Sequence, residues 1–285
     1  GVFMIFDSRR CELGEGALWH PVCEQLFWFD ILNRTLQSQS MGQPASWTFD
    51  RMVSAAGWIS RDELLVATES GLVRFHLGTG AQAVLASVGS PQTRSNDGRA
   101  DRQGGFWFST MGRKAEPGAG AIWRWYKGET RQLFPGITIP NAISFTPDGT
   151  AAHFADTATG QVMKVALDSA GWPKAAPTLW LDLAAEGLNP DGAVIDAEGL
   201  FWNAQWGAGR VAAYAPDGRF LRAVSVPDAP QTSCPAFGGP GMTTLYVTTA
   251  LEGYGPADRQ RYPGSGQVFA FEGIARGLPE PQVRT

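Results

Sequence analysis

The tripeptide Pro-Asp-Gly of this 285-residue chain occurs at Pro147-Asp148-Gly149 and again at Pro190-Asp191-Gly192, in surroundings that differ. Pro-Asp-Gly is turn chemistry, because proline pre-sets φ, Asp bonds back to nearby backbone and Gly accepts positive φ. Asp148 lies inside AISFTPDGTAAHFAD, between two apolar stretches, and is expected to be a hairpin residue. Asp191 opens NPDGAVIDAEGLFW, where the turn is Ala197-Glu198-Gly199, so it stands just ahead of the first strand. Glu15, Asn141 and either Asn96 or Asp97 precede apolar segments in the same way. Two carboxylates and one or two amide oxygens converging on one point would make an oxygen-rich site for a single divalent cation. Burying two carboxylates together without a cation would raise one pKa strongly. The plainer reading is that these residues cap strands and hydrate a channel mouth.

Whether they converge depends on the elements that carry them. A unit of two strands and a turn recurs as GALWHPVCEQLFWFD, GWISRDELLVATE, GRADRQGGFWFST, AISFTPDGTAAHFAD, AVIDAEGLFWNAQ and AFGGPGMTTLYVTT. Its second strand starts near Leu26, Leu64, Phe106, Ala152, Leu200 and Leu245, a spacing of roughly 40–50 residues that matches a four-stranded propeller blade. Between units, segments such as GLVRFHL, GQVMKVAL and GQVFAFEG alternate with period 2 and supply an outer pair. The leftover apolar segment VFMIF has no partner until it joins the last unit.

The expectation is therefore all-β: one domain over residues 1–285, a six-bladed β-propeller of four-stranded antiparallel blades, its ring closed by the N-terminal strand. A (β/α)8 barrel would need amphipathic stretches of ~10–15 residues between strands, and the sequence has none. In a propeller the positions ahead of each innermost strand meet at one end of the central channel. The set is Glu15, Ala56, Asn96 or Asp97, Asn141, Asp191 and Cys234.

Composition agrees and excludes other classes. Glycine (35), proline (19) and tryptophan (11) are abundant, which suits short strands and tight turns rather than helices. A net charge of −4 leaves no basic footprint for nucleic acid or an anionic membrane. No apolar run approaches the ~20 residues that span a bilayer. The opening GVFMIFDSRR lacks the basic segment and cleavage site of a secretory signal. Three cysteines without C-x-x-C spacing read as thiols of a reducing, cytoplasmic setting, a Cys11–Cys23 disulfide being the lesser alternative. No obligate protein partner is evident.

With these pieces in place, nearly the whole chain resembles the senescence-marker-protein/regucalcin/gluconolactonase family of six-bladed propellers. LGEGALWHP, RSNDGRADRQGGFWFSTM, IPNAISFTPDGTAAHFADT and NPDGAVIDAEGLFW carry the resemblance, in order and at blade spacing. It implies that Glu15, Asn141 and Asp191 bind one divalent cation (calcium first, with zinc, magnesium, manganese or iron as alternatives) and that Arg94 and Asn96 hold substrate oxygens. It also implies hydrolysis of sugar-acid lactones, such as gluconolactone, xylonolactone or arabinonolactone. The family's rim carboxylate falls on Glu116 in one alignment of the 112–120 loop, while Lys114 occupies the spacing another requires.

The residues make chemical sense of that activity. A cation polarises the lactone carbonyl, Asp191 serves as general base for the attacking water, and Arg94 and Asn96 orient hydroxyls. No G-x-S-x-G nucleophile elbow is present. His20, His76 and His153, and the tryptophans Trp19, Trp58, Trp107 and Trp202, read as structural, as do Ser109, Thr110 and Met111. Trp206 lies near the channel, where it could stack on a sugar face. A non-catalytic calcium- or sugar-binding propeller and a promiscuous ester hydrolase are the competing functions.

Overall fold

The computed structural model describes residues 2–285, and Gly1 lies outside the described residues. The described residues form six four-stranded antiparallel sheets. Five are consecutive: residues 14–48, 53–87, 93–137, 140–182 and 190–225 form blades 1 to 5. Blade 6 combines Thr232–Gly238, Thr244–Thr249 and Val268–Glu272 with the N-terminal strand Val2–Asp7. Phe3 pairs with Phe271 and Ile5 with Phe269, so the first strand closes the last blade as its sequence position predicts. Each innermost strand packs on that of the next blade, and the sixth packs on the first. The ring is thus closed, and only the outermost strand of each blade remains an edge. Helix is confined to Pro256–Arg261 and two short 3-10 turns.

One apolar cluster fills each gap between blades. Phe27, Phe29, Leu64 and Val66 pack between blades 1 and 2; Trp202, Phe237, Leu245 and Phe269 pack between blades 5 and 6. Alternation along each strand sends side chains to both neighbouring clusters, so a blade is apolar on both faces. Of the four expected core tryptophans, Trp107 and Trp202 are fully buried, while Trp19 and Trp58 are partly so. Cys11, Cys23 and Cys234 are free thiols, which removes the Cys11–Cys23 disulfide.

What positions the site is a bulge shared by the innermost strands. Pairing is irregular between Glu15 and Leu18, Val53 and Ala55, Ser95 and Gly98, Asn141 and Ser144, Pro190 and Ala193, and Thr232 and Cys234. At the bulges the inner strands nearly touch: a Cβ on Gly16 would lie 2.3 Å from the Ser54 carbonyl oxygen, and Gly16 holds φ +61°. Only glycine meets both demands there. The other end of the channel is closed by the C-terminal segment. Arg99 pairs with Glu280 there, Trp58 Nε1 donates to the Glu280 carbonyl (2.7 Å), and Val283 N donates to the Trp58 carbonyl (2.8 Å).

Candidate functional site

The bulged ends of the inner strands open into a cavity of about 530 Å³. Glu15, Arg94, Asn96, Asn141 and Asp191 all line it, although they come from blades 1, 3, 4 and 5. Two positions assigned by counting are corrected. Ala56 pairs regularly with Val66 and packs in the cluster between blades 1 and 2. Cys234 pairs with Thr248 and packs between blades 6 and 1. The bulge moves the count, so Ser54 and Ser233 take the places ahead of them. Ser54 Oγ donates to the Asn96 carbonyl (2.5 Å), and Ser233 Oγ bonds the Gly14 carbonyl. The choice between Asn96 and Asp97 also resolves. Asn96 faces the cavity, whereas Asp97 lies outside its lining and accepts a hydrogen bond from Ile143 N (2.8 Å).

Glu15 and Asp191 are 3% and 6% exposed and line the same cavity, close enough for each to act on the other's charge. Each takes one local backbone donor: Gly16 N to Glu15 Oε2 (3.1 Å) and Gly192 N to Asp191 Oδ1 (2.8 Å). Neither is in any ion pair found among the described residues. Burial, then the charge of Asp191, lifts the Glu15 carboxyl well above the carboxylate range. Burial lifts Asp191 as well, up to about 7, with Asp97 adding to the rise. Two buried carboxyl groups that no ion pair neutralises are a costly arrangement.

Asn141 completes the oxygen set. Its Nδ2 donates to Thr157 Oγ1 (2.7 Å), which itself donates to the Pro190 carbonyl (2.6 Å). That fixes which amide atom is spent on the wall and leaves Oδ1 toward Asn96, 3.4 Å from its Nδ2. Among the described residues no three His, Cys, Asp or Glu side chains cluster, so a cation held here would need the Asn141 oxygen as third protein ligand. Two carboxylates and an amide oxygen are a hard, oxygen-only donor set, and it fits a divalent cation of the Ca²⁺, Mg²⁺ or Mn²⁺ kind.

Arg94 and Asn96 form the wall beside that set. Arg94 Nη1 donates to Asn96 Oδ1 (3.1 Å) and to the Ser95 carbonyl (2.9 Å), while Asn96 Nδ2 donates to the Pro140 carbonyl (2.8 Å). Asn96 is therefore committed to the protein at both ends of its amide, and Arg94 keeps its other nitrogens for the cavity. Burial lowers the Arg94 pKa, and Glu252, Glu15 and Asp191 oppose that.

The remaining candidates separate cleanly. Trp206 lines the cavity as expected, and so does Met111, whose place in an inner strand predicts packing alone. None of the three histidines lines it. His20 Nε2 bonds the Ser60 carbonyl (2.8 Å), His76 Nδ1 accepts from Gly78 N (3.1 Å), and His153 is buried against Trp180. Asp148 is a turn residue, its Oδ1 accepting from Thr146 Oγ1 (2.8 Å) and Thr150 N (3.0 Å). In the 112–120 loop, Lys114 lines the cavity, whereas Glu116 folds back so that its Oε1 accepts from Lys114 N (2.7 Å). Thr157 and Glu252 also line the cavity and were not singled out by the repeat.

Comparison with known proteins gives this arrangement its relatives. Residues 13–251 match the SMP-30/Gluconolactonase/LRE-like region. The chain belongs to this family. Within the SMP-30/gluconolactonase family it is 35% identical to the L-arabinolactonase of Azospirillum brasilense over 284 residues, covering 96% of this chain and 93% of that one. It is 30% identical to the 6-deoxy-6-sulfogluconolactonase of Pseudomonas putida, with 94% of each chain covered. A crystal structure of a calcium-binding protein, regucalcin, from Agrobacterium tumefaciens superposes with a TM-score of 0.96 at 38% identity, covering 99% of this chain and 97% of that one.

Proposed function

We propose that this protein is a divalent-metal-dependent lactonase that opens aldonolactones to the free sugar acids. The observation that carries the reading is the pair Glu15 and Asp191, buried together outside any ion pair, on the same cavity wall as an Arg94 guanidinium that has free donors. Lactonase relatives along the full length support the substrate class.

Glu15, Asn141 and Asp191 would hold the cation, which when bound polarises a carbonyl oxygen and stabilises negative charge developing there. Asp191 takes a proton from the water that attacks the lactone carbon. As the bond from that carbon to the ring oxygen breaks, Asp191 returns the proton to the departing oxygen, so one water is consumed and the carboxylate is regenerated. Arg94 orients the ring by donating to its oxygens, and Asn96 holds Arg94 in place. Leu13, Ile139 and Trp206 supply the apolar part of the wall. The protein acts alone on a small molecule, in the cytoplasm, with no nucleic acid, membrane or obligate protein partner.

A second reading has its own support, since the regucalcin relative is described as calcium-binding. Here the same ligands would hold calcium without turnover. The deciding experiment is ring opening of an aldonolactone panel, followed by proton release, with protein stripped by chelator and reloaded with each divalent metal. Turnover that follows metal loading supports the lactonase; metal binding with no turnover on any lactone supports the binding protein.

A further inference from the structure

We propose that Glu252 is the substrate-reading carboxylate of this cavity, accepting hydrogen bonds from the hydroxyls of a neutral polyhydroxylated ring held between it and Arg94. The inference deepens the lactonase reading and rests on it for the identity of the substrate.

The placement, anchoring and hydrogen bonding of Glu252 lead to it. Glu252 follows the second strand of blade 6 and lines the cavity, while Arg94 comes from blade 3, three blades away and so across the channel axis. The segment bearing Glu252 is anchored: Gln231 Nε2 donates to the Glu252 carbonyl (3.0 Å), and Leu251 N donates to the Glu12 carbonyl (3.1 Å). Its carboxylate, however, receives no hydrogen bond among the described residues, unlike those of Glu15 and Asp191. Its carboxylate oxygens therefore keep their acceptor capacity for a group bound in the cavity.

Glu116 cannot take that role as placed, because its carboxylate is folded onto Lys114 N and Gly112 outside the cavity lining. The charge of Glu252 acts on the Arg94 guanidinium more strongly than that of Glu15 or Asp191, although no ion pair joins the two among the described residues. An acceptor on one wall and a multi-donor guanidinium on the other match neighbouring hydroxyls of a sugar ring. Such a site rejects an analogue that lacks those hydroxyls, because its own polar groups are then left unpaired.

The test compares Glu252→Ala and Glu252→Gln with the parent on an aldonolactone and on δ-valerolactone, which carries no hydroxyls. Calorimetric binding of 1,5-anhydroglucitol, a ring that cannot be hydrolysed, runs in parallel. Expected for Glu252→Ala is a KM for the aldonolactone raised about tenfold or more, kcat changed much less, and δ-valerolactone kcat/KM within about twofold of the parent. Anhydroglucitol binding should weaken by about the same tenfold, with Glu252→Gln intermediate. Equal losses on both lactones, or undiminished anhydroglucitol binding, would overturn the inference. Thermal unfolding of the isosteric Gln variant verifies that the fold is intact. The two claims fail separately. A parent that opens no lactone sinks the lactonase reading, while anhydroglucitol binding still decides the role of Glu252.

Discussion

Asn141 Nδ2 donates to Thr157 Oγ1 at 2.7 Å, and the same hydroxyl donates onward to the Pro190 carbonyl at 2.6 Å. A side chain in the loop after one strand thus sets the orientation of an amide in another, and ties both to the strand that bears Asp191. Thr157→Val keeps the shape and removes this relay. Metal affinity should fall about 10–100-fold, the usual effect of losing a group that orients a ligand. Glu15→Gln, which removes a ligand charge, should cost more. Titration calorimetry of chelator-stripped protein with Ca²⁺ or Mn²⁺ measures both. Parent-like affinity in both variants would place the cation elsewhere.

Closure by the N-terminal strand makes a separate prediction about stability. Phe3 stacks on Phe269 with ring centroids 5.6 Å apart, and the strand pairs along Val268–Glu272. Deleting residues 1–8 exposes that strand as an unpaired edge. If the chain is one cooperative domain, as its repeat organisation implies, the whole melting transition should move down as a single step. A truncated protein that melts like the parent, or in two steps, would contradict the closed ring as the unit of stability.

His153 makes the acid limb of stability a measurable quantity. It is 4% exposed, both ring nitrogens lack hydrogen-bond partners, and burial, helped by Lys164, holds its pKa down to about 3 from the ordinary 6.5. Between those values the unfolded chain binds a proton that the folded one refuses. The stabilisation is full above pH 6.5 and is lost as the pH falls toward 3, at up to about 1.4 kcal/mol per pH unit. His153→Phe should match the parent near pH 8 and gain on it progressively below pH 6. Urea midpoints of both proteins from pH 8 to pH 4 test this, and parallel pH profiles would refute it.

Much of the architecture was legible because propeller blades repeat: a turn, two apolar strands and an alternating outer pair recur often enough to count. The distinction between Asp148 and Asp191 was legible for the same reason, since one lies in the turn of a hairpin, although the other, expected just ahead of a strand, sits inside the start of that innermost strand at its bulge. Counting failed at Ala56 and Cys234, where a bulge adds a residue that no composition signal marks, and Ser54 and Ser233 stand at the bulge instead. Glu252, Thr157 and the C-terminal segment that closes the channel floor lie in connections without periodicity. Their positions follow from tertiary contacts alone. Glu116 was a candidate by alignment, and a local hydrogen bond to Lys114 N turns it away.

The central claim is that Asp191 works chemically while Asp148 only shapes a turn. It is tested most directly by initial hydrolysis rates of one accepted aldonolactone, measured on cation-loaded parent, Asp191→Asn and Asp148→Asn. Asn at 191 keeps an oxygen ligand but cannot accept the proton, so its rate should fall ~10²-fold or more. Asn at 148 preserves the turn and should stay within about twofold of the parent. Equal rates for the two variants would contradict the account.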